Sequence, residues 1–474
     1  MNTRSLIQVD IIVLHKNIRL RDNAALFYGS QNNNYRIIFP YDSNYWISNG
    51  RSLRQFQFFF DCLCELNQQL KDVNSKVEIF EGNLSDLKSY LEKKQPQCLI
   101  HMNYSTDTKY YRDTFNDFIT HFKKTSRIKI YRDFGIQVQN PNRDRWSSDW
   151  NNLMKKKTFP IPLVNNESNK SDFLTCEQFK TKFPMQRFDG IQIGGTSNAE
   201  ELLNSFLTER SEGYSKKMSS PIEAESACSR LSPHISNGSL SVREIFQKIE
   251  KHYPISKYKR DLQSFKKRLY WHCHFIQKLD TEPEIEFSSM HRMCDSLREN
   301  DNDELIEKWI NGKTGYPFLD ACMIYLKRHG WINFRMRAMV MSFASYNLWQ
   351  PWQKTSPLLA ELFVDFEPGI HIPQVQMQSG VTGINLPRIY SVTKQSFDQD
   401  ADAKWIKEII PSLKNVKVDE IHSANLNGDY IAPIVDLEKS SKYARDNIWS
   451  IRKGDEFKKL SKSVYLRHGS RKRQ

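Results

Sequence analysis

Within residues 312–352, the arginines at 335 and 337 stand inside an otherwise apolar, helical pattern, and this stretch constrains the fold more than any other. Met336 and Phe343 recur there at helical spacing, so the segment is predicted to form helices with a buried face. Arg335 and Arg337 interrupt that face, and burying a guanidinium is costly unless a carboxylate or a phosphate pairs with it. We therefore expect an anionic group against this helix, supplied either by a structural ion pair or by a bound ligand.

Two patterns of secondary structure follow each other along the chain. In the first 135 residues, five short runs rich in β-branched and aromatic residues alternate with helical patterns, which predicts βαβ units and a parallel sheet. No G-x-G-x-x-G follows the first strand, so a Rossmann-type NAD site is not indicated. Residues 136–205 are rich in Asn, Ser, Lys and Pro, whereas the pattern is helical from about residue 206 onward.

The predicted fold is an α/β domain with a five-stranded parallel sheet, followed by an all-α domain. The predicted limits are 1–135 for the α/β domain, 136–205 for an inter-domain linker, 206–451 for the helical domain and 452–474 for a basic C-terminal tail. Within the α/β domain, helices are predicted at about 51–73, 84–94 and 108–124.

Composition limits the class of protein. Hydrophobic residues make up 39% and charged residues 26% of the chain, as in a soluble globular protein. No run of about 18 apolar residues is present, and the N-terminal sequence lacks the apolar core of a signal peptide. The eight cysteines form no C-x-x-C pair and are predicted to be reduced. We expect a cytoplasmic monomer with no membrane partner and no metal site.

Positive charge dominates the chain. The net charge of +14 favours an anionic partner such as DNA. Half of this excess lies in residues 452–474, where nine Lys/Arg stand against two acidic residues. The nine are Arg452, Lys453, Lys458, Lys459, Lys462, Arg467, Arg471, Lys472 and Arg473. A solvated, disordered tail would give the same pattern, so DNA contact and simple solvation both stay open at this point.

Three blocks in order along the chain resemble one known family. They are TGYPFLDACM with GWINFRMRAMVMSF in the stretch described above, CSRLSPHISNGSLS at 228–241 and RIYSVTKQSFDQDADAKWIKEIIPSL at 388–413. On these blocks the chain resembles the cryptochrome/DNA photolyase flavoproteins over nearly its whole length. The resemblance implies an N-terminal photolyase-type α/β domain and a C-terminal helical domain that binds FAD. No cysteine follows Cys322, so the chain lacks the iron–sulfur cysteines of one branch of the family.

The resemblance assigns one segment to the FAD diphosphate. Its residues are Tyr214, Cys228, Ser229, Arg230, Leu231 and Ser232. A serine at a helix start supplies an N-cap, and the free amides that follow can bind an anion. Ordinary helix capping is the alternative interpretation. Cys228 stands where the family has threonine, which removes one hydroxyl contact.

A second group of residues is implied beside the flavin ring. In the family, an arginine at the position of Arg337 pairs with an aspartate at the position of Asp365, and their charge stabilises the reduced flavin. Glu367 corresponds to a carboxylate near flavin N3–H. His371 falls at the position that faces flavin N5, where an imidazole could donate a hydrogen bond or a proton with a charge that switches near pH 7. A structural ion pair and a packed histidine are the alternatives.

The third implied site contacts a base extruded from DNA. Trp271 corresponds to the tryptophan that stacks on a pyrimidine dimer, and Arg335 is kept from the family's motif. The carboxylate expected on the substrate is Arg268 here, and Phe334 and Ala338 occupy positions where a (6-4) photolyase has histidines. Neither repair pocket is complete, and Trp271 could instead belong to the core.

The resemblance also implies a pigment site and an electron relay. An antenna chromophore of unknown identity can bind in the N-terminal domain of the family, where Arg19, Asp22 and Asn23 are kept. Of the tryptophan triad, the flavin-proximal member is replaced by Val375 and the middle one is kept as Trp352. Substitutes for the missing members are Trp349, Tyr346 and Tyr390, although aromatic residues at helical spacing more often form core.

The resemblance implies a blue-light-driven, FAD-dependent photolyase that splits cyclobutane pyrimidine dimers in ultraviolet-damaged, even single-stranded, DNA. Catalysis would involve Trp271, Arg335, Arg337 and His371. A cryptochrome-type photoreceptor without repair activity is the second hypothesis, favoured by the altered substrate pocket. A nucleic-acid-binding flavoprotein without light chemistry is the third.

Overall fold

The computed structural model describes residues 9–139, 141–162, 166, 172–184, 187–426, 428 and 430–471. Its strands are β1 (Asp10–Val13), β2 (Tyr35–Tyr41), β3 (Val77–Glu81), β4 (Leu99–Asn103) and β5 (Ile128–Tyr131). The helices up to residue 252 are α1 (Ala24–Gly29), α2 (Leu53–Gln69), α3 (Leu84–Lys94), α4 (Lys109–Lys124), α5 (Trp146–Lys155), α6 (Cys176–Lys182), α7 (Thr196–Ser205), α8 (Tyr214–Lys217), α9 (Ala224–Ala227), α10 (Ser232–Asn237) and α11 (Val242–His252).

The remaining helices complete the C-terminal half. They are α12 (Lys259–Thr281), α13 (Asp303–Ile310), α14 (Pro317–His329), α15 (Phe334–Ser342), α16 (Trp352–Leu362), α17 (Pro368–Gln378), α18 (Val392–Gln399), α19 (Lys404–Ile409), α20 (Val418–Ser423), α21 (Leu437–Arg452) and α22 (Asp455–His468). Two π-helical turns, Phe206–Arg210 and Phe343–Asn347, extend α7 and α15. The predicted helices α2, α3 and α4, and the helices on both sides of Gly330, are confirmed.

The N-terminal sheet is parallel throughout, with strand order β3-β2-β1-β4-β5. Strands β1 and β2 consist mainly of apolar residues because both faces of a parallel sheet are covered by helices. Ile11, Ile12, Ile37 and Ile38 are fully buried as a result. The order of the strands reverses between β1 and β4, and ligands of open α/β sheets bind beside the carboxyl ends of strands at such a point. The predicted fold class is confirmed.

Residues 136–205 are more structured than an extended linker. Their described parts form α5, α6 and α7. Trp146 and Trp150 are buried, although apolar residues are sparse in this segment. Their spacing of four residues puts both rings on one face of α5, and that face packs on α11 and on Leu269 of α12. Two large aromatic side chains therefore stabilise a helix that the polar composition did not indicate.

The two halves of the molecule meet closely behind β1. Lys16 Nζ lies 2.9 Å from Glu367 Oε2 and 3.0 Å from Asp107 Oδ2, and all three groups are buried. Gly238 ends α10 with a φ of 73°, and a Cβ there would lie 1.9 Å from the carbonyl oxygen of Lys16. Only glycine permits both this conformation and this approach. The β1 loop is thus fixed to the helical half by charge and by contact.

The basic segment 452–474 also differs from a solvated tail. Its described part continues into α22, and Phe457, Val464 and His468 are buried on one face of that helix. These residues recur at helical spacing, so the charged residues occupy the other face. Lys472 and Arg473 lie outside the described residues. In the ranges given above, none of the helices is both apolar enough and long enough for a bilayer.

Candidate flavin and DNA site

Arg337 and Asp365 form the centre of the candidate site. The side chain of Asn333 accepts from the amide of Met336 at 3.0 Å and sets the start of α15. One turn later, Arg337 Nη1 and Nη2 donate to the two carboxylate oxygens of Asp365 at 3.0 and 2.8 Å. The Asp365 carboxylate is 3% exposed and the guanidinium 30%. The anionic group expected against this helix is therefore a carboxylate, and the guanidinium keeps an open side that can face a ligand.

His371 lies on α17, close enough to this pair for the charges of Arg337 and Asp365 to affect its pKa. Burial lowers the pKa of His371 to about 4, so the imidazole is neutral at pH 7. The expectation of a charge that switches near neutral pH is therefore wrong. Its Nε2 lies 3.0 Å from the carbonyl oxygen of Ser356. A carbonyl only accepts, so Nε2 carries the proton and Nδ1 is left as an acceptor.

Glu367 occupies the start of the same helix and has two partners within the protein. Oε1 accepts from the amide of Gly369 at 3.3 Å, and Oε2 accepts from Lys16 at 2.9 Å. The carboxylate therefore caps α17 and joins it to the α/β domain. The implied contact with flavin N3–H stays a prediction. Lys16 was not identified from the sequence, because nothing near residue 16 indicates that it meets a helix 351 positions later.

The segment assigned to the diphosphate turns sharply before α10. Arg230 has a left-handed backbone with a φ of 61°, and the helix starts at Ser232 after Leu231. The serine cap expected from the sequence does not form, because this turn directs the Ser229 hydroxyl to the amide of Leu231, at 3.4 Å. Pro233 has no amide hydrogen to cap.

Arg210, which was not identified from the sequence, holds this turn by hydrogen bonds to its backbone carbonyls. Its guanidinium donates to the carbonyls of Leu202 at 2.7 Å, Ser226 at 3.0 Å and Ser229 at 3.3 Å, and also to that of Cys228. Arginine can satisfy several carbonyls at once because its five N–H groups are spread in a plane. The one available signal was an arginine four residues before Tyr214, which is weak.

Positive charge gathers around Cys228. Burial raises the pKa of this thiol to about 11, while four arginines oppose the shift through their charge. They are Arg230, Arg210, Arg268 and Arg337. Burial also raises the pKa of Tyr214, whose hydroxyl faces Cys228 and Arg268. This concentration of guanidinium groups beside a turn fits the two negative charges of a diphosphate. The predicted Tyr214, Cys228 and Arg230 thus share one region with the ring-side pair.

An aromatic surface lies next to this region. Trp271 is 37% exposed and Phe334 46%, so Trp271 is not a core residue. The guanidinium of Arg268 lies 5.1 Å from the centre of the Phe334 ring, and that of Arg335 lies 5.9 Å from it. The Nε of Arg335 is buried without a hydrogen-bond partner among the described residues. Open rings bordered by cations are the features that an unstacked base requires.

The candidate relay residues lie in two different clusters. Trp352 is 3% exposed and belongs to the main core of the helical half, with Val375. Trp349 packs instead with Tyr346, against the face formed by Ala444. The structure therefore gives no single row of aromatic residues, and the relay through Trp352 and Trp349 stays a prediction.

A narrow cleft opens beside the carboxyl ends of β1 and β2. Its lining includes His15, Tyr45, Tyr111 and Asn83. The rings of His15 and Tyr111 stack with centroids 3.7 Å apart, and the cavity holds only about 30 Å³. A pigment therefore fits only if this pair of rings moves apart.

Comparison with known proteins defines the class first. Residues 265–450 match the family model described as the FAD binding domain of DNA photolyase. The helical half of the chain is therefore an FAD-binding domain.

Among sequence relatives, the (6-4)DNA photolyase of Arabidopsis thaliana is 21% identical over 86% of this chain and 79% of its own length. The deoxyribodipyrimidine photo-lyase of Buchnera aphidicola subsp. Acyrthosiphon pisum is 23% identical over 92% of this chain and 95% of its own length. Three other bacterial deoxyribodipyrimidine photo-lyases align over 56%, 54% and 47% of their own length, so the chain spans about half of each.

Solved structures extend the likeness to the whole fold. An archaeal photolyase from Sulfolobus tokodaii superposes with a TM-score of 0.80 at 24% identity, over 94% of this chain and 100% of the other. A cryptochrome from Synechocystis sp. superposes with a TM-score of 0.81 at 18% identity, over 93% and 99%. Residues 265–450 thus match the FAD-binding domain of DNA photolyases, and the whole chain has the fold shared by photolyases and cryptochromes. Its N-terminal sheet and helical FAD domain together make up that fold.

We predict that the purified protein is yellow and holds about one non-covalent FAD per chain, because the cationic turn fits the diphosphate of that cofactor and the Arg337–Asp365 pair fits its flavin ring. Absorption of the released flavin, quantified against protein concentration, measures the ratio. A colourless protein that takes up no added FAD would contradict the assignment of the site.

Proposed function

We propose that the protein is a blue-light-driven DNA photolyase that splits cyclobutane pyrimidine dimers. One observation carries this proposal: the exposed rings of Trp271 and Phe334, with Arg268 and Arg335 over the Phe334 ring, belong to the same region as the residues that fit FAD. Reduced FAD, when bound, supplies the photoexcited electron that opens the cyclobutane ring and receives that electron back. The reaction thus needs no external oxidant or reductant within a cycle.

The residues of this chain perform the remaining tasks. The indole of Trp271 stacks on the extruded dimer, which holds it close to the flavin. Arg335 and Arg268 place positive charge where the substrate becomes negative. Arg337 and Asp365 orient each other at the flavin ring, and the neutral His371 offers Nδ1 as an acceptor there.

The choice of lesion follows from two positions. A (6-4) photoproduct requires a proton donor, and Phe334 and Ala338 stand at the two positions where the family places histidines for that task. We therefore propose that (6-4) lesions are not repaired, although one relative is a (6-4)DNA photolyase. Dimers in unpaired or flexible DNA are the best substrates because extrusion is least costly there.

The test is an illuminated repair assay with chemically reduced protein. Separate substrates carry a cyclobutane dimer or a (6-4) photoproduct in single- and double-stranded DNA. We expect repair of the cyclobutane dimer under blue light but not in darkness, and no repair of the (6-4) photoproduct. Repair of the (6-4) substrate would contradict the argument from Phe334 and Ala338.

A photoreceptor without repair activity is the second candidate. The observation that favours it is the altered pocket, since Arg268 replaces the carboxylate expected on the substrate bases. Protein with fully reduced FAD that repairs neither lesion under blue light, yet still shows flavin photoreduction, would select this candidate.

The cleft beside β1 and β2 is the proposed place of a second chromophore. The archaeal photolyase structure contains two FAD molecules, with the implication of a novel light-harvesting cofactor. The position of the cleft at the carboxyl edge of the sheet supports the same use in this chain. An absorption band beyond those of one FAD, lost in His15→Trp, would support it.

We also predict that DNA binding weakens steeply with salt, because the outer face of α22 carries Lys458, Lys459 and Lys462. Changing all three to Gln should reduce the slope of log affinity against log salt by about 0.9 for each phosphate that is no longer neutralised, with FAD content unchanged. Truncation after Ile451 would remove the buried Phe457 together with the lysines and expose the core that it covers. The triple substitution is therefore preferred, because it changes charge alone.

The matched control for this change is Gln at Lys71, Lys93 and Lys94, which removes the same charge from exposed sites of the α/β domain. Salt-insensitive binding, or equal slopes for the two triple variants, would exclude α22 as a phosphate-binding element.

A further inference from the structure

Two buried cations lie together at the C-terminal end of α12 without a carboxylate partner. Lys278 and Arg143 are 7% and 8% exposed. The ammonium of Lys278 lies 4.9 Å from the centre of the Phe275 ring and makes no hydrogen bond or ion pair with the described residues. Arg143 donates to uncharged acceptors, a ring nitrogen of His274 at 2.8 Å and the carbonyl of His468 at 3.4 Å. Such burial is costly unless an anion binds there.

The carboxylates of this region already have other partners. Glu282, which follows α12, and Asp144, which follows Arg143 in sequence, are both paired. Glu282 accepts from Arg292, Arg467 and His468, and Asp144 accepts from Arg471. Burial, with repulsion from Arg143, consequently lowers the pKa of Lys278 to about 7. The pKa of Arg143 also falls, to about 10, through burial.

These cations are connected to the candidate DNA surface along one face of α12. Trp271, Phe275 and Lys278 follow at intervals of four and three residues, which aligns them on the helix. The Trp271 and Phe275 rings lie 6.0 Å apart. His274 contacts Arg143 and also packs edge-on against Trp271 at 5.0 Å. Seven residues of helix rise about 10 Å, which equals the axial length of about three stacked nucleotides.

We propose that Arg143 and Lys278 bind one backbone phosphate of a DNA strand, within about three nucleotides of the base that stacks on Trp271. This phosphate site rests on the proposed function, because the stacking of a base on Trp271 is part of that function. The Nε of Arg143 is buried without a hydrogen-bond partner among the described residues, and small fractions of Arg143 and Lys278 stay exposed. A planar guanidinium and an ammonium are the usual pair of donors to a phosphate.

The decisive variant is Lys278→Met, which keeps the length of the side chain and removes its charge. Its melting temperature should equal or exceed that of the wild type, because a buried charge without a partner is lost. Its affinity for dimer-containing single-stranded DNA should fall about tenfold, the effect of one charged hydrogen bond, with FAD content unchanged. Lys278→Arg should keep most of the affinity, and Lys94→Met, on an exposed site far away in sequence, is the matched control.

A scan with neutral methylphosphonate linkages identifies the phosphate concerned. In the wild type, one position within about three nucleotides of the dimer should lower affinity about tenfold. In Lys278→Met and in Arg143→Gln, the same position should cause a smaller further loss than in the wild type, since one of the two donors is already absent. Additive losses at every position, or an unchanged affinity in both variants, would overturn the proposal.

Inorganic phosphate provides the remaining arm of the test. If it raises the melting temperature of the wild type but not of Lys278→Met, while DNA affinity is the same in both, the site binds free phosphate and the proposal fails. All binding is measured in darkness, so a lack of repair does not affect the outcome. If the wild type repairs the dimer and both variants bind DNA as tightly as the wild type does, this phosphate site alone is refuted. If the wild type binds no DNA at all, both proposals are refuted.

Discussion

Asp365→Ala is expected to yield protein with less than a tenth of the normal FAD content, the largest single effect we predict. The Asp365 carboxylate is 3% exposed and accepts hydrogen bonds from both terminal nitrogens of Arg337. Its removal leaves a partly buried guanidinium without its carboxylate partner at the proposed position of the flavin ring. Because Arg337 is 30% exposed, the loss of stability should be about 2 kcal/mol, between the values for exposed and buried pairs.

Flavin absorbance per chain and urea denaturation measure these two effects. Asp398→Ala is the matched control, since Asp398 forms an exposed ion pair with Lys394 and should change neither quantity measurably. Asp365→Asn separates shape from charge, and it should fold normally yet bind FAD weakly. Normal FAD content and photoreduction in Asp365→Ala would show that this pair does not hold the flavin ring.

The sequence was sufficient where a pattern repeats with a fixed period. The apolar strands of the N-terminal sheet and the helices around Gly330 follow directly from periodicity. The Arg337–Asp365 pair was also predictable, because a guanidinium on an apolar helix face needs an anion and the resemblance names the aspartate.

Contacts between distant segments could not be predicted in this way. Lys16 reaches Glu367 across 351 positions, and Arg143 reaches His468 across 325. No local pattern encodes which segment will lie opposite such a side chain. A basic run such as 452–474 is equally ambiguous, since its few apolar residues become significant only when the helix finds a surface to cover.

Local chemistry within the site was the other source of error. A serine near a helix start usually caps it, yet the left-handed Arg230 turns Ser229 toward a different amide. His371 was expected to titrate near neutral pH, but burial removes water from the imidazole and disfavours its charged form. Both outcomes depend on tertiary surroundings, and the residue types alone carry no information about them.

Trp271→Ala is expected to abolish most light-dependent repair while FAD content stays normal, which separates repair from signalling. In the proposed function the exposed indole is the surface on which the dimer stacks, so we expect its removal to cost about 1–3 kcal/mol of lesion binding. Arg335→Ala should lower repair as well, because it removes positive charge where the substrate becomes negative. Repair rates under blue light and affinities for dimer-containing DNA in darkness are measured for each variant.

The control is Trp449→Ala, which removes a tryptophan of similar exposure, 44% against 37%, from α21. It should leave repair unchanged, so that any loss in Trp271→Ala is specific to its place beside the flavin site. A variant that loses lesion binding and repair together shows that stacking brings the dimer to the flavin. Equal repair by Trp271→Ala and the wild type would remove Trp271 from the mechanism. Flavin photoreduction that persists in a wild type without repair would assign the exposed tryptophan to a photoreceptor, where it contacts no lesion.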